Sequence, residues 1–236
     1  MKTIIIIPTY NESENISKLL IEIFNLNIPD LFVIVVDDNS PDETAEIVEK
    51  LKEANNWKNK IYLIKRKGKL GLGSAYIAGF KKALALNADY IFEMDADHSH
   101  DPKDIPRMLA KTIDSDLVIG SRKIKGGKVI GWNFKRKIMS TGAMFVSRLI
   151  LRLKPKDVTA GFRCYKKEVI QKINLDTVKS NGYAFQEEML HKTQKLGFKI
   201  GEIPVTFIDR KFGKSKLTKK DIIEFFLVIL KLRFKK

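Results

Sequence analysis

Five unbroken runs of apolar, largely β-branched residues constrain this chain more than any other feature. They are TIIIIP at 3–8, LFVIVVDD at 31–38, IYLIK at 61–65, DYIFEMD at 89–95 and DLVIGS at 116–121. A strand with one wet face alternates polar and apolar residues, whereas continuous apolar runs belong to strands covered on both faces. Amphipathic segments of helical period lie between them, near 14–26, 42–55, 73–86 and 104–113, the first expected to begin at Asn11 or Ser13. This alternation predicts an α/β fold with a mostly parallel sheet flanked by helices. Such sheets bind ligands beyond the carboxyl ends of their strands. Three polar clusters, PTYNE, DDNSPDET and DADHSH, follow strands at that edge.

The second half reads differently. Residues 133–153 have helical spacing that puts Phe134, Ile138, Phe145 and Leu149 on one face. DVTAGFRCY (157–165) reads as a turn into a short strand, and 183–197 as a helix ended by Gly197. Residues 199–207 read as an edge strand, because Pro204 cannot donate to a central ladder. A basic loop, 209–220, leads into a last helix with Thr218 as cap and Asp221 three residues on. Its apolar stretch is too short to span a bilayer. It suits core packing, pairing with another chain, or a bilayer interface with its lysines at headgroup level.

Charge follows the same division. Residues 1–121 carry 15 Lys and Arg against 19 Asp and Glu, a net of −4; residues 122–236 carry 29 against 9, a net of +20. A mildly acidic half joined to a strongly basic one points to an anionic surface or ligand met by the second half. One cysteine, Cys164, excludes an internal disulfide and fits a reducing cytosol. The apolar start, stopped at Pro8, is not expected to be a signal peptide.

Asp95 and Asp97 flank Ala96, so on an extended strand end their side chains point the same way. Crowded carboxylates call for something positive: a metal ion, basic side chains, or a solvated turn. Oxygen ligands without cysteine suit Mg²⁺ or Mn²⁺. His98 and His100 lack a third histidine or a cysteine nearby and are expected to hold the loop rather than zinc. GKLGLGSA (68–75) lacks the Gly-Lys-Ser/Thr ending of a P-loop, so its glycines are read as a tight turn into a helix from Ser74. Arg122, Arg210, Lys214 and Lys216 follow strands or sit in a glycine-bearing loop, where cations can neutralise a diphosphate.

Taken in order, IIIIPTYNE, IVVDDNSPDET, GLGSAYIAGF, MDADHSHDP, IGSRKIKGG, DVTAGFRCY and IDRKFGKSKL resemble the polyprenyl- or dolichyl-phosphate mannose synthases, inverting family 2 glycosyltransferases of the GT-A fold. The resemblance runs from about residue 3 to 220. It implies a GT-A domain over 1–217, with a nucleotide-sugar half (1–121) and an acceptor half (122–217). Residues 218–236 would then be a C-terminal amphipathic or membrane-interface helix on a cytoplasmic enzyme held peripherally at the cytoplasmic face of a membrane. The implied reaction is metal-dependent transfer of mannose from GDP-mannose to a polyprenyl (dolichyl) phosphate.

The resemblance also implies residue roles. Pro8, Tyr10 and Glu12, with Val36 and Asp38, would line the base and ribose pocket, Asp38 reading a base edge. Asp95, Ala96 and Asp97 would meet the nucleotide-sugar, Asp95 and Asp97 as catalytic residues, with Asp97 on the metal. Ser99 stands where relatives place an amide ligand, and would coordinate directly or through a water. Arg122, Arg210 and Lys216 would bind phosphates, Arg122 catalytically. Glu187 or Glu188 would position a sugar hydroxyl or the acceptor. Two other readings are a UDP-glucose-dependent polyprenyl-phosphate glucosyltransferase and a nucleotide-sugar or anionic-lipid binding protein without turnover. No nucleic-acid module is present.

Overall fold

The computed structural model describes residues 1–209 and 228–234. The five predicted runs form β1 (Thr3–Thr9), β2 (Leu31–Asp37), β3 (Ile61–Lys65), β4 (Tyr90–Glu93) and β5 (Leu117–Ser121). The second half adds β6 (Lys128–Ile130), β7 (Arg163–Lys166), β8 (Ile200–Pro204) and β9 (Thr206–Ile208). Seven strands make one sheet in the order β3-β2-β1-β4-β7-β5-β8, and β6 with β9 makes a small parallel ribbon. β7 alone runs antiparallel in the large sheet, between β4 and β5. Among the described residues β8 pairs only with β5, so Pro204 lies on an edge of that sheet, as expected.

The unbroken apolar runs are explained by helices on both faces. Ile4, Ile6, Ile34 and Val36 pack with Tyr76, Phe80, Phe185 and Met189 on one side, while Ile5, Ile7, Val33 and Val35 pack with Leu19, Leu20, Val48 and Met108 on the other. Alternation along the strand sends successive isoleucines to opposite layers, each contributing roughly 1.5–3 kcal/mol by burial. The first layer holds α3 (Leu72–Ala85), α5 (Phe134–Leu151), α6 (Lys167–Lys172) and α7 (Gly182–Lys195); the second holds α1 (Ile16–Phe24), α2 (Thr44–Ala54) and α4 (Ile105–Lys111).

Two expectations are corrected. α1 starts at Ile16, not at Asn11 or Ser13. Asn11 adopts a left-handed backbone (φ 60°), and the N–H groups of Glu12 and Ser13 donate to Thr44 Oγ1 (3.0 Å) and Asp42 Oδ2 (3.0 Å). Residues 10–15 thus serve a loop across the strand ends. α3 starts at Leu72, two residues before Ser74. There Gly73 lies so close to α7 that a Cβ would meet the Ser180 carbonyl at 2.4 Å and the Phe185 ring at 2.9 Å.

α5 turns its predicted apolar face outward. Phe134 (79% exposed), Ile138, Phe145 and Leu149 (70%) face solvent, while Met144, Ser147 and Leu151 face the protein. At the end of the chain, residues 228–234 are helical, with Ile229 fully buried in the core, Leu232 against it, and Leu230 and Phe234 exposed. The expected cap at Thr218 lies outside the described residues.

Candidate active site

The three polar clusters meet at the carboxyl edge of β1, β2 and β4. Each loop turns through a left-handed residue: Asn11, Asn39 (φ 56°) and His98 (φ 57°). Short polar or ring side chains tolerate that conformation better than branched ones. Asp37, 1% exposed, ties the first two loops together, accepting from Thr9 Oγ1 (2.8 Å), Ser40 N–H (2.9 Å) and Ser40 Oγ (2.6 Å).

Within the expected base pocket, Pro8 and Tyr10 are half-buried and Lys69 Nζ stands 4.3 Å over the Tyr10 ring. Glu12 Oε2 accepts from Asn15 Nδ2 (2.8 Å). The Val36 side chain does not line this pocket: strand alternation buries it completely against α3. Asp38 is largely occupied by its own chain. It is ion-paired with Arg66, and its Oδ2 accepts from Leu70 N–H (3.1 Å). Arg66 also donates to Ser74 Oγ (2.6 Å) and the Gly71 carbonyl (3.1 Å), so this pair shapes the glycine loop.

Asp95 and Asp97 follow β4, which ends at Glu93, in a bend rather than on extended strand, with the buried Ala96 between them. Asp97 Oδ1 accepts from Ser99 N–H (3.1 Å). The Asp95 side chain is 36% exposed. Its Oδ1 accepts from Tyr76 Oη (3.2 Å), and its backbone N–H donates to His100 Nδ1 (3.2 Å). His100 is buried, and burial lowers its pKa despite Asp95 and Asp97 nearby, which keeps the ring neutral. His98 points away to α1, with Nε2 3.3 Å from the Asn15 carbonyl and Nδ1 3.4 Å from Glu22. Both histidines hold the loop, and no group of three or more acidic, histidine or cysteine residues able to hold a metal occurs among the described residues.

A hard divalent ion still fits this loop. Two carboxylates lie two residues apart, and the Ser99 hydroxyl is buried without a hydrogen-bond partner among the described residues. Oxygen donors too few for a closed cage are the pattern of an ion whose remaining ligands are water and substrate phosphate.

Arg122 lies deeper than expected. Its Nε and Nη2 grip Asp157 (2.7 Å each), its own N–H reaches the same carboxylate (2.8 Å), and Nη2 also donates to Thr159 (2.9 Å). Trp132 and Phe207 present their rings to its guanidinium at 5.6 and 5.4 Å. Burial pushes the Asp157 carboxyl up, but Arg122 outweighs it and holds the group below the usual range. Arg210 and Lys216 lie outside the described residues, as does Lys214.

The sequence reading missed a buried polar cluster beneath the site. Arg163, fully buried, donates to the carbonyls of Ala160 (2.9 Å), Val158 (2.9 Å) and Gln186 (2.7 Å). Tyr165 Oη lies 3.4 Å from both Arg163 Nη1 and Glu93 Oε1. Burial, partly offset by Arg163, raises Glu93 to about 7. The visible signal was a charge interrupting an apolar strand, in IFEM and in FRCY. Glu187 is raised to about 8 by burial, while Glu188 accepts from Ser180 Oγ (2.6 Å) and braces the 180 loop.

A parallel sheet with an Asp-x-Asp loop at the carboxyl edge is the architecture of the nucleotide-sugar transferases, and the chain belongs to glycosyl transferase family 2, whose model matches residues 4–174. It is 40% identical over 218 residues to the undecaprenyl-phosphate mannosyltransferase of Micrococcus luteus, covering 92% of this chain and 88% of that protein. It is 39% identical over 224 residues to the polyprenol monophosphomannose synthase of Mycolicibacterium smegmatis, covering 94% and 83%. Among solved structures, glucosyl-3-phosphoglycerate synthase of Mycobacterium tuberculosis with Mn²⁺, UDP and phosphoglyceric acid superposes with a TM-score of 0.69 at 17% identity, over 99% of this chain and 78% of that one. That likeness establishes the GT-A fold.

Proposed function

We propose that this chain transfers mannose from GDP-mannose to a polyprenyl phosphate with inversion, giving a β-linked lipid-phosphate mannose, and that Mg²⁺ or Mn²⁺ is required. The observation that carries this reading is the near-full-length, 40% identity to an undecaprenyl-phosphate mannosyltransferase. The Asp95–Asp97 loop supports it by supplying carboxylates of the kind that would hold a divalent ion against a nucleotide diphosphate.

The chemistry follows from charge. A lipid phosphate with a second pKa of about 6 is mostly ionised near pH 7. Its oxygen attacks the anomeric carbon, the bond to the diphosphate breaks, and the electron pair leaves with the nucleoside diphosphate. This nucleophile has no proton to lose, so no strong base is needed. The acidic pair on α7 agrees: burial keeps Glu187 protonated near neutrality, and Glu188 is engaged with Ser180. A bound divalent ion supplies electrostatic stabilisation of the departing diphosphate. Asp97, its Oδ1 oriented by Ser99 N–H, would hold it, with Asp95 alongside toward the donor. Pro8, Tyr10 and Glu12 border the base and ribose. Arg122, neutralised by Asp157, acts through the shape of the loop after β5.

The acceptor lives in a membrane, and α5 supplies a surface for one. Its outward stripe of Phe134, Ile138, Phe145 and Leu149 is flanked by the exposed Lys135 and Lys137. A helix of this kind lies in a bilayer interface, with each near-surface cation contributing about 1 kcal/mol on anionic lipid. No helix among the described residues is long and apolar enough to cross a membrane.

The test is transfer from radiolabelled GDP-mannose to a short polyprenyl phosphate with Mn²⁺, Mg²⁺ or EDTA, beside Asp97→Ala. Metal-dependent lipid-linked label that is lost in the variant is expected. Transfer from UDP-glucose instead would replace the donor and keep the mechanism. Binding of donor and lipid without transfer from either would leave a binding protein.

A further inference from the structure

The first aspartate of the pair is held by two packed aromatic side chains, one at its carboxylate and one at its backbone. From α3, Tyr76 reaches Asp95 Oδ1 at 3.2 Å. From the loop, His100 accepts the Asp95 N–H at Nδ1 (3.2 Å), and its Nε2 lies 4.0 Å from Asp95 Oδ2, beyond direct hydrogen-bond reach. Each ring is locked by packing. Tyr76 is fully buried and stacked on Phe185 of α7 (centroids 5.8 Å, planes 7° apart) and on Phe80 (6.4 Å). His100 is stacked on Phe162 (5.0 Å, 12°) and meets the edge of Phe207 (6.0 Å).

A buried tyrosine hydroxyl needs some acceptor, and a backbone carbonyl would serve for stability alone. Here the acceptor is the one-third-exposed carboxylate at the outlet of β4. Tyr76 donates to the carboxylate itself and His100 accepts the backbone N–H of the same residue, so two separate elements hold Asp95. Hydrogen bonds to a charged group are the stronger kind, and orientation of a site carboxylate by outer partners governs its affinity for what it binds.

We propose that Tyr76 and His100 are positioning residues that fix the Asp95 carboxylate for donor binding, Tyr76 coupling it to α7 and His100 to the β7 and β9 segments. This rests on the donor-site reading above, though not on the identity of the sugar. Tyr76→Phe keeps the stack and removes only the hydroxyl. His100→Asn keeps an acceptor near the Nδ1 position and removes the ring stacked on Phe162.

The experiment is calorimetric titration of Mn²⁺·GDP and Mn²⁺·UDP into wild type, Tyr76→Phe, His100→Asn, Asp95→Asn and the Tyr76→Phe/Asp95→Asn double variant, with thermal melts of each. The tighter-binding nucleotide is used throughout, so the result is independent of whether mannose is transferred. Expected are about tenfold weaker binding in Tyr76→Phe, a loss of the same sense in His100→Asn, melting temperatures near wild type, and a double variant no weaker than Asp95→Asn. Wild-type affinity in both single variants, or losses from Tyr76→Phe that add fully to those of Asp95→Asn, overturn the proposal. Failure of the wild type to transfer mannose while these affinities behave as expected would instead overturn only the named reaction.

Discussion

Removing the Asp157 carboxylate isolates the best-defined charge in the molecule. Asp157 is fully buried and Arg122 is 9% exposed. Asp157 accepts three hydrogen bonds from Arg122, two from the guanidinium at 2.7 Å and one from the backbone at 2.8 Å. Its own N–H donates to Glu202 (3.1 Å). Asp157→Ala leaves the buried guanidinium without its carboxylate, and breaking one partner out of a buried pair costs about 3–5 kcal/mol. For a chain of this size that corresponds to a fall in melting temperature of roughly 10 °C. Replacing both partners, as Asp157→Ala/Arg122→Met, removes the stranded charge and recovers most of the loss. Urea denaturation of the four proteins closes the cycle. Asp157 sits below its unfolded pKa, so its contribution is present above about pH 4 and vanishes as pH falls through the folded value. The loss in Asp157→Ala is therefore greatest near neutrality. A single-variant cost under about 1 kcal/mol, or no recovery in the double variant, would refute the reasoning.

Three further outcomes follow from named contacts. Glu187 is raised by burial to about 8 against 4.5 when exposed, so the folded chain holds a proton that the unfolded chain has lost between those values. Stability therefore declines as pH rises across about 5 to 8, by up to about 1.4 kcal/mol per pH unit from this group, with Arg163 and Ser147 facing it; urea melts of Glu187→Gln should lack that slope. Phe145→Glu, on the outward face of α5, should weaken sedimentation with anionic liposomes several-fold while leaving Mn²⁺·GDP binding as in wild type. Gly73→Ala drives a Cβ against the Ser180 carbonyl and the Phe185 ring, and should lower stability by about 1–3 kcal/mol in thermal melts.

The strands were legible because burial on both faces writes an unbroken apolar run, and Ile4 through Ile7 show it directly. The Asp pair was legible because a carboxylate at the end of such a run has no packing reason to be there. Boundaries failed where tertiary hydrogen bonds override local preference: nothing within residues 10–15 says that Thr44 and Asp42 will take the N–H groups of Glu12 and Ser13. Arg122 looked like a free cation because its partner, Asp157, is 35 residues away in sequence. Val36 was placed in the pocket by motif, while strand parity puts its side chain in the core. Arg163 and Glu93 were in plain view as charges inside apolar strands, but only the fold shows that the arginine is answered by three carbonyls.

The position of β7 bears on how the protein can be made. A ribosome releases the chain in order, yet β4 and β5 are not hydrogen-bonded neighbours; the strand between them arrives after both and runs against them. Until Arg163–Lys166 has emerged, the strand leading to the Asp pair keeps one bare edge, and β5 has neither of its neighbours. A nascent chain of 121 residues thus carries five strands of the sheet without the means to close it, and an unpaired apolar edge is what chaperones and aggregation both select for.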